Sequence, residues 1–304
     1  MIADEPDEHV EELARRFSDL WQALINGEKG PHSEDHRTML ADRIRDALDR
    51  GMDKLDTSDK NIIANSFTLE ALVHSGTATD VFRARHRDLG TYHAIKMLRT
   101  DHSHDPIARR LLLREAQIGM ALRHPRIAVT QTILRLTDGR PALIAEWIDH
   151  RIADLLPGSL SLKDVATTMT AVLTGLSAVH AAGFVHCDLS PSNILHGNGF
   201  RDIKIVDFGI ALEIGRRHNE LDLALAGQPE FASPEQIAGE ALDPRSDLYA
   251  AGLLLSLLLR NCRETGEKAE ELKTLAIRLS QRRPEDRPES AEAALCLLGG
   301  LKEL

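Results

Sequence analysis

The sequence predicts an α+β chain with a small β-rich lobe over 67–146, a mainly helical lobe over 147–304, and a helical N-terminal extension over 1–66. Three observations carry this expectation. Apolar residues recur at helical spacing in the first sixty positions, short strand-length runs begin after Asn65, and long helical periods return from Leu162. A length of 304 residues suits one two-lobed domain plus an extension, since single cores rarely grow past about 250–300 residues.

In the extension, Val10, Leu13, Ala14, Phe17, Leu20, Trp21, Leu24 and Ile25 form one apolar stripe, with Asp7 as N-cap and Gly27 as stop. A second helix from Ser33 carries Leu40, Ile44, Ala47, Leu48 and Met52 on one face. The two form a helical hairpin. Its stripes either cover each other and the body of the protein, or make a docking or dimerisation surface. Residues 1–60 hold 16 acidic and 9 basic side chains, so a net of −7 of the chain's −10 is concentrated there.

Strands are expected at Phe67–Val73, Asp80–Arg85 and Thr91–Leu98, turning at Gly76 and Gly90, and then a helix over Ile107–Leu122. Two further strands lie near 129–136 and 141–146. Val165, Met169, Val172, Leu173, Leu176 and Val179 mark a helix over Leu162–His180. The overall charge of −10 argues against nucleic acid as a partner, because phosphate backbones recruit basic surfaces. Cys187, Cys262 and Cys296 make neither a disulfide framework nor a zinc pattern, which points to a reducing, cytoplasmic compartment. Met1–Glu12 is acidic, unlike a signal peptide, and the apolar run Ala250–Leu259 is too short to span a bilayer, so no membrane partner is expected. Asp101-His102-Ser103-His104-Asp105 resembles a metal cluster but reads better as a solvated loop, with no second ligand set beside it.

The chemistry begins with Ala94-Ile95-Lys96 on the third strand and Glu115 on the following helix, 19 residues later. A strand lysine braced by a helix carboxylate can hold the phosphates of a nucleotide. His186-Cys187-Asp188-Leu189-Ser190-Pro191-Ser192-Asn193 then fits H-x-D-L-x-x-x-N, and Asp207-Phe208-Gly209 begins 19 residues after Asp188. Asp188 is the type of group that orients and deprotonates a hydroxyl. Asn193 and Asp207 offer the hard oxygens that hold Mg²⁺.

With these motifs the chain resembles the eukaryotic-like protein kinase family, in the bacterial Ser/Thr form, over residues 68 to about 298. Arg123-His124-Pro125, the hinge Glu146-Trp147-Ile148-Asp149, Ser233-Pro234-Glu235, Asp247 with Gly252, and Asp286-Arg287-Pro288 extend the resemblance. It implies a bilobal protein-kinase-like fold and Mg-ATP (Mn²⁺ in its place at need) as cofactor. It further implies catalytic roles for Asp188, Lys96, Glu115 and Asn193, and metal binding by Asn193 and Asp207. The nucleotide would be lined by Val73, His74, Gly76, Val81, Ala94, Lys96, Glu146 and Ile148. A Glu235–Arg287 ion pair would brace the large lobe, Asp247 would tie down the catalytic loop, and Ala145 would be a small gatekeeper. The implied function is transfer of the γ-phosphoryl group to a protein serine or threonine. The alternatives are a nucleotide-binding pseudokinase or a kinase of a small molecule.

The departures from the family pattern carry their own expectations. The phosphate loop reads His74-Ser75-Gly76-Thr77-Ala78-Thr79-Asp80-Val81, with one of three glycines kept and a carboxylate added, which predicts weaker ATP affinity. Cys187 stands in place of arginine, and Ile210–Ala232 contains no Ser, Thr or Tyr, so activity is not expected to depend on phosphorylation there. Ser190 replaces a lysine and Gln228 a threonine; Arg216 or Arg217 are the candidates to supply the missing charge. Asp247 and Arg287 are only 40 residues apart, so the αG region is reduced or absent. Protein substrate would then be recruited elsewhere, with the N-terminal extension the first candidate.

Overall fold

A computed structural model describes residues 8–27, 30–34, 36–44, 61–155, 157–197, 200, 202–221 and 227–300. The chain divides into two units, Met1–Lys60 and Asn61–Leu304. In the first, helix α1 (Glu8–Ile25) spans the positions of the predicted stripe, with Arg16 donating to Glu12 one turn earlier at 2.9 Å. Where a simple stop was expected at Gly27, strands β1 (Asn26–Gly27) and β2 (Gly30–Pro31) pair antiparallel, and helix α2 follows over 36–44. Asp7, Ala47, Leu48 and Met52 lie outside the described residues.

The second unit begins with a six-stranded antiparallel sheet in the order β3-β4-β5-β6-β8-β7. Its strands are β3 (Ile62–Ile63), β4 (Phe67–Ser75), β5 (Thr79–His86), β6 (Tyr92–Leu98), β7 (Thr130–Arg135) and β8 (Pro141–Glu146). β3 pairs Ile62 with Thr68, so the sheet starts within the segment read as extension. β4 and β5 also run further toward their turn than predicted, through the rungs His74↔Val81 and Ser75↔Asp80. Apolar alternation cannot reveal a rung whose two side chains are polar.

One face of the sheet buries Ala84, Ile95, Ala142 and Ile144. The other packs Leu98 and Leu143 against Leu112 and Ala116 of helix α3 (Pro106–Ala121). α3 starts where Asp105 accepts the N–H groups of Ile107 and Ala108, with Pro106 in the first turn. The acidic end of the polar 101–105 loop is thus a helix cap, and no group of three or more His, Cys, Asp or Glu side chains placed to hold a metal occurs among the described residues.

The large lobe is built on helix α4 (Leu162–Ala181), opened by a Ser161–Asp164 capping box. Val165, Met169, Val172, Leu173 and Leu176 are fully buried, each stabilising the lobe by roughly 1.5–3 kcal/mol. Short strands β9 (His150–Arg151), β10 (Phe184–Val185), β11 (Ile194–His196), β12 (Ile203–Ile205) and β13 (Leu212–Glu213) follow the fold around this core, β12-β11-β9 as one sheet and β10 paired with β13. One-turn helix α5 (Pro234–Ile237) precedes α6 (Pro244–Arg260), α7 (Glu267–Leu279) and α8 (Ala291–Gly300). α6 begins at Pro244, capped by Asp243, and carries Asp247 in its first turn. α7, which the sequence reading did not anticipate, lies against Gly252: a Cβ there would meet the Ala276 carbonyl at 2.7 Å. Between α6 and α7 runs only the short link 261–266. No helix among the described residues is long and apolar enough to cross a membrane.

Candidate active site

Between the two lobes lies a cavity of about 410 Å³, and the chemistry-bearing residues converge on it. Lys96 sits near the end of β6, where the alternation that buries Ile95 on one face aims Lys96 to the other. Its ammonium lies 2.8 Å from Glu115 of α3 and 2.8 Å from Asp207, which follows β12. Burial opposes the charge on Lys96, but Asp207 and Glu115 together hold it well above the ordinary ammonium range. One ammonium between two carboxylates leaves a negative charge over. Glu115, the more deeply buried of the two, bears that cost: burial first, then the Asp207 charge, pushes its carboxyl up to about 7. Asp207 stays below the usual carboxylate range, its burial outweighed by Lys96 and by the Gly209 N–H. Its backbone takes the left-handed region, φ 67°.

Asp188 stands in the loop between β10 and β11. Its carboxylate accepts the Gln228 N–H at 3.1 Å on one oxygen and the Asn193 amide at 2.8 Å on the other. Asn193 gives a second bond to the Asp188 carbonyl, also 2.8 Å, so both its N–H groups are spent and its amide oxygen is left as a ligand. Burial, and next the Asp207 charge, pushes the Asp188 carboxyl up to about 6, against His186, Gln228 and Asn193. The loop is tied from below by Asp247, which accepts the His186 and Cys187 N–H groups at 2.8 and 2.9 Å and bonds the His180 ring at 2.8 Å. His186, fully buried, bonds the Val206 carbonyl and accepts the Asp188 N–H, linking the loop to the strand that presents Asp207.

Ser190 is fully buried, and its hydroxyl accepts from Gln228 Nε2 at 2.8 Å. The two departures noted in the sequence are therefore one contact. Arg216, one of the two candidates to supply the missing charge, pairs on the surface with Glu220 at 2.9 Å and Glu213 at 3.7 Å. Gly227 adopts φ 89°, and a Cβ there would meet the Cys187 carbonyl at 3.0 Å and Asp188 at 3.1 Å, so glycine is required for this approach. Sequence reasoning missed Gln236, whose amide donates to the Cys187 carbonyl at 2.7 Å, and Arg114, which donates to the Ala211 carbonyl at 2.9 Å. Nothing in their local spacing signals either contact.

Arg287 and Glu235 form a buried fork, Nη1 to Oε1 at 2.7 Å and Nη2 to Oε2 at 2.9 Å. The remaining guanidinium hydrogens go to the carbonyls of Gln281, Arg245 and Arg282, so all five donors are used.

Around the cavity, Val73, His74, Val81, Ala94, Glu146 and Ile148 are lining residues; Gly76 lies outside the lining, at the hairpin turn. Leu143 and Ala145 line the cavity as well. Glu146 spends its carboxylate on Lys204, at 2.6 Å, and on the Val129 N–H, so only its backbone can face a ligand. Trp147, Asp149, Arg151 and Asp154 complete the outer rim, none of them singled out beforehand as ligand contacts. The arrangement offers an ammonium and two carboxylates for a polyphosphate with its cation, beside a separate carboxylate placed to accept a proton.

Residues 67–295 match the protein kinase domain family. A probable serine/threonine-protein kinase of Corynebacterium efficiens is 37% identical over 64% of this chain and 30% of its own length. One from Streptomyces coelicolor is 35% identical over 65% of this chain and 30% of its own length. A serine/threonine-protein kinase of Myxococcus xanthus is 30% identical over 76% of this chain and 49% of its own. The chain matches from 30% to 49% of the length of these relatives.

Proposed function

The chain belongs to the protein kinase family, and from that premise we propose that it is a cytoplasmic Ser/Thr protein kinase, transferring the γ-phosphoryl group of Mg-ATP to a protein hydroxyl. The observation that carries the reading is Lys96 at 2.8 Å from both Glu115 and Asp207, in a cavity that Asn193 also lines, with the Asn193 amide bonded to the Asp188 carboxylate at 2.8 Å. Lys96 would orient the nucleotide phosphates, and Glu115 would keep Lys96 in place. Asp207 and the free amide oxygen of Asn193 fit Mg²⁺ (or Mn²⁺) as hard oxygen donors. When bound, the ion would neutralise charge on the phosphates. Asp188, oriented by Gln228 and Asn193, would align the acceptor hydroxyl and take its proton.

Activation without phosphorylation of the 210–232 segment is part of the proposal. That segment has no hydroxyl side chain. Protein groups already hold its first part: Gly215 N–H to the Leu242 carbonyl at 2.8 Å, Leu242 N–H to the Arg216 carbonyl at 3.0 Å, and Arg114 on Ala211. We place substrate recruitment on the N-terminal extension, because the 261–266 link leaves little surface between α6 and α7.

The test is mass-spectrometric mapping of phosphate after incubating the full chain and a protein substrate with Mg-ATP, beside Asp188→Asn. Phosphoserine or phosphothreonine with the parent alone supports a protein kinase. No transfer by a parent that binds Mg-ATP favours the pseudokinase. Activity that survives phosphatase treatment supports the unphosphorylated active form, and unchanged substrate phosphorylation after deleting residues 1–60 would remove the recruiting role.

A further inference from the structure

The hairpin above the cavity carries a link that the transfer reaction itself does not call for. The rung His74↔Val81 lines the cavity, and the next rung is Ser75↔Asp80. Alternation along a strand turns that second rung to the opposite face. There the Ser75 hydroxyl donates to Asp80 Oδ1 at 2.6 Å and accepts from Arg99 Nη1 at 3.0 Å. Arg99 stands just past β6, and its backbone N–H also donates to the Ala78 carbonyl in the turn, at 2.9 Å. The other edge of its guanidinium binds Asp101, Nε to Oδ1 and Nη2 to Oδ2, both at 3.1 Å. One residue thus grips both the last rung of the hairpin and its turn, and Asp101 orients that grip.

We propose that Arg99 and Ser75 are positioning residues that tie the hairpin into one arch, so that its backbone amides meet the phosphates of a bound nucleotide. The inference rests on the nucleotide reading of the cavity and adds what holds its phosphate side. Gly76 is the one glycine between His74 and Val81, so the turn does not gain its shape from backbone freedom alone. Gly76 N–H closes the turn on the Thr79 carbonyl at 2.8 Å, and the external tie fixes that turn against β6. The same tie engages Asp80, so its carboxylate faces Ser75 and the side of Arg99 rather than the ligand. A base and ribose packed against the His74↔Val81 rung would not feel the tie; a polyphosphate under the turn would.

The experiment is calorimetric titration of the full chain with Mg-ATP and, separately, with adenosine. Ser75→Ala removes the middle of the tie without changing any charge. Arg99→Lys keeps the charge but cannot span Ser75 and Asp101 at once. Both are expected to weaken Mg-ATP by about three- to fivefold, the range of exposed polar contacts, with adenosine unchanged. Ser75→Thr, which keeps the hydroxyl, should retain the parent's ratio. Variants that bind Mg-ATP like a nucleotide-binding parent overturn this inference alone, as does an equal loss for adenosine. A parent that binds neither ligand overturns the nucleotide reading and this inference with it.

Discussion

The loop 186–193 and the hairpin 74–81 border the same cavity but are held by different physics. The loop is buried, and groups from distant segments satisfy its polar atoms: Asp247 below, Gln228 and Gln236 from the side, Val206 behind. The hairpin is built from neighbouring rungs and an exposed tie through Ser75 and Arg99. Removing one partner from a buried polar pair costs about 1–3 kcal/mol, whereas exposed contacts contribute at most about 1 kcal/mol. The departures from the family pattern follow that difference. In the hairpin, glycines are replaced singly, by His74 and Thr79. In the loop, Ser190 comes with a partner, Gln228, bonded at 2.8 Å.

The largest effect that would sharpen this comparison is expected from Asp188→Asn. It keeps the shape but cannot take a proton, so transfer should fall by about 10²–10⁴-fold while Mg-ATP affinity holds, read by initial rates and calorimetry. A parallel loss of affinity would break the separation between loop and hairpin. Next comes Arg287→Ala, which strands Glu235 in the braced large lobe and should cost about 3–5 kcal/mol, read from the urea midpoint. A loss below about 1 kcal/mol would mean that the fork is not what stabilises the lobe.

The pH dependence is third. Asp188 must be ionised to act as base, and burial together with Asp207 raises its carboxyl to about 6. kcat/KM, which reports the free enzyme, should therefore fall as pH drops through about 6, by about tenfold per unit below it. Because the folded value lies above the unfolded one, this group's contribution to stability runs the other way: present at low pH and lost as pH rises through about 6. kcat/KM profiles measured between about pH 5 and 8, and urea midpoints between about pH 4 and 7, check both signs. Thr79→Gly should give the smallest effect, tightening Mg-ATP by no more than about threefold, since a regained glycine also adds freedom to a turn already tied in place. A tenfold gain would show that the glycines, and not the tie, shape the hairpin.

Much of the fold was legible because its elements announce themselves locally. Val165, Met169, Val172 and Leu176 repeat at helical spacing and are buried along α4. The hairpin's last rung was not legible, since Ser75 and Asp80 have no apolar alternation to read. α6 starts at the Asp243-Pro244 cap, ahead of the motif residue Asp247, a polar boundary that the apolar run Ala250–Leu259 does not mark. Gly76 was assigned to the nucleotide lining by motif position, and the hairpin places it in the turn, one residue past the Ser75↔Asp80 rung.

By itself the sequence determined which groups could do chemistry: Lys96, Glu115, Asp188, Asn193 and Asp207 are residue types that phosphoryl transfer requires, at spacings short enough to read. Tertiary structure alone decided what holds them. Gln228 meets Ser190 across 38 residues, Gln236 meets Cys187 across 49, and Arg99 meets Ser75 across 24. A hydrogen bond depends on distance and direction between two atoms. Once the chain between them exceeds a few residues, no periodicity records either one, and only the packed lobes bring the partners together.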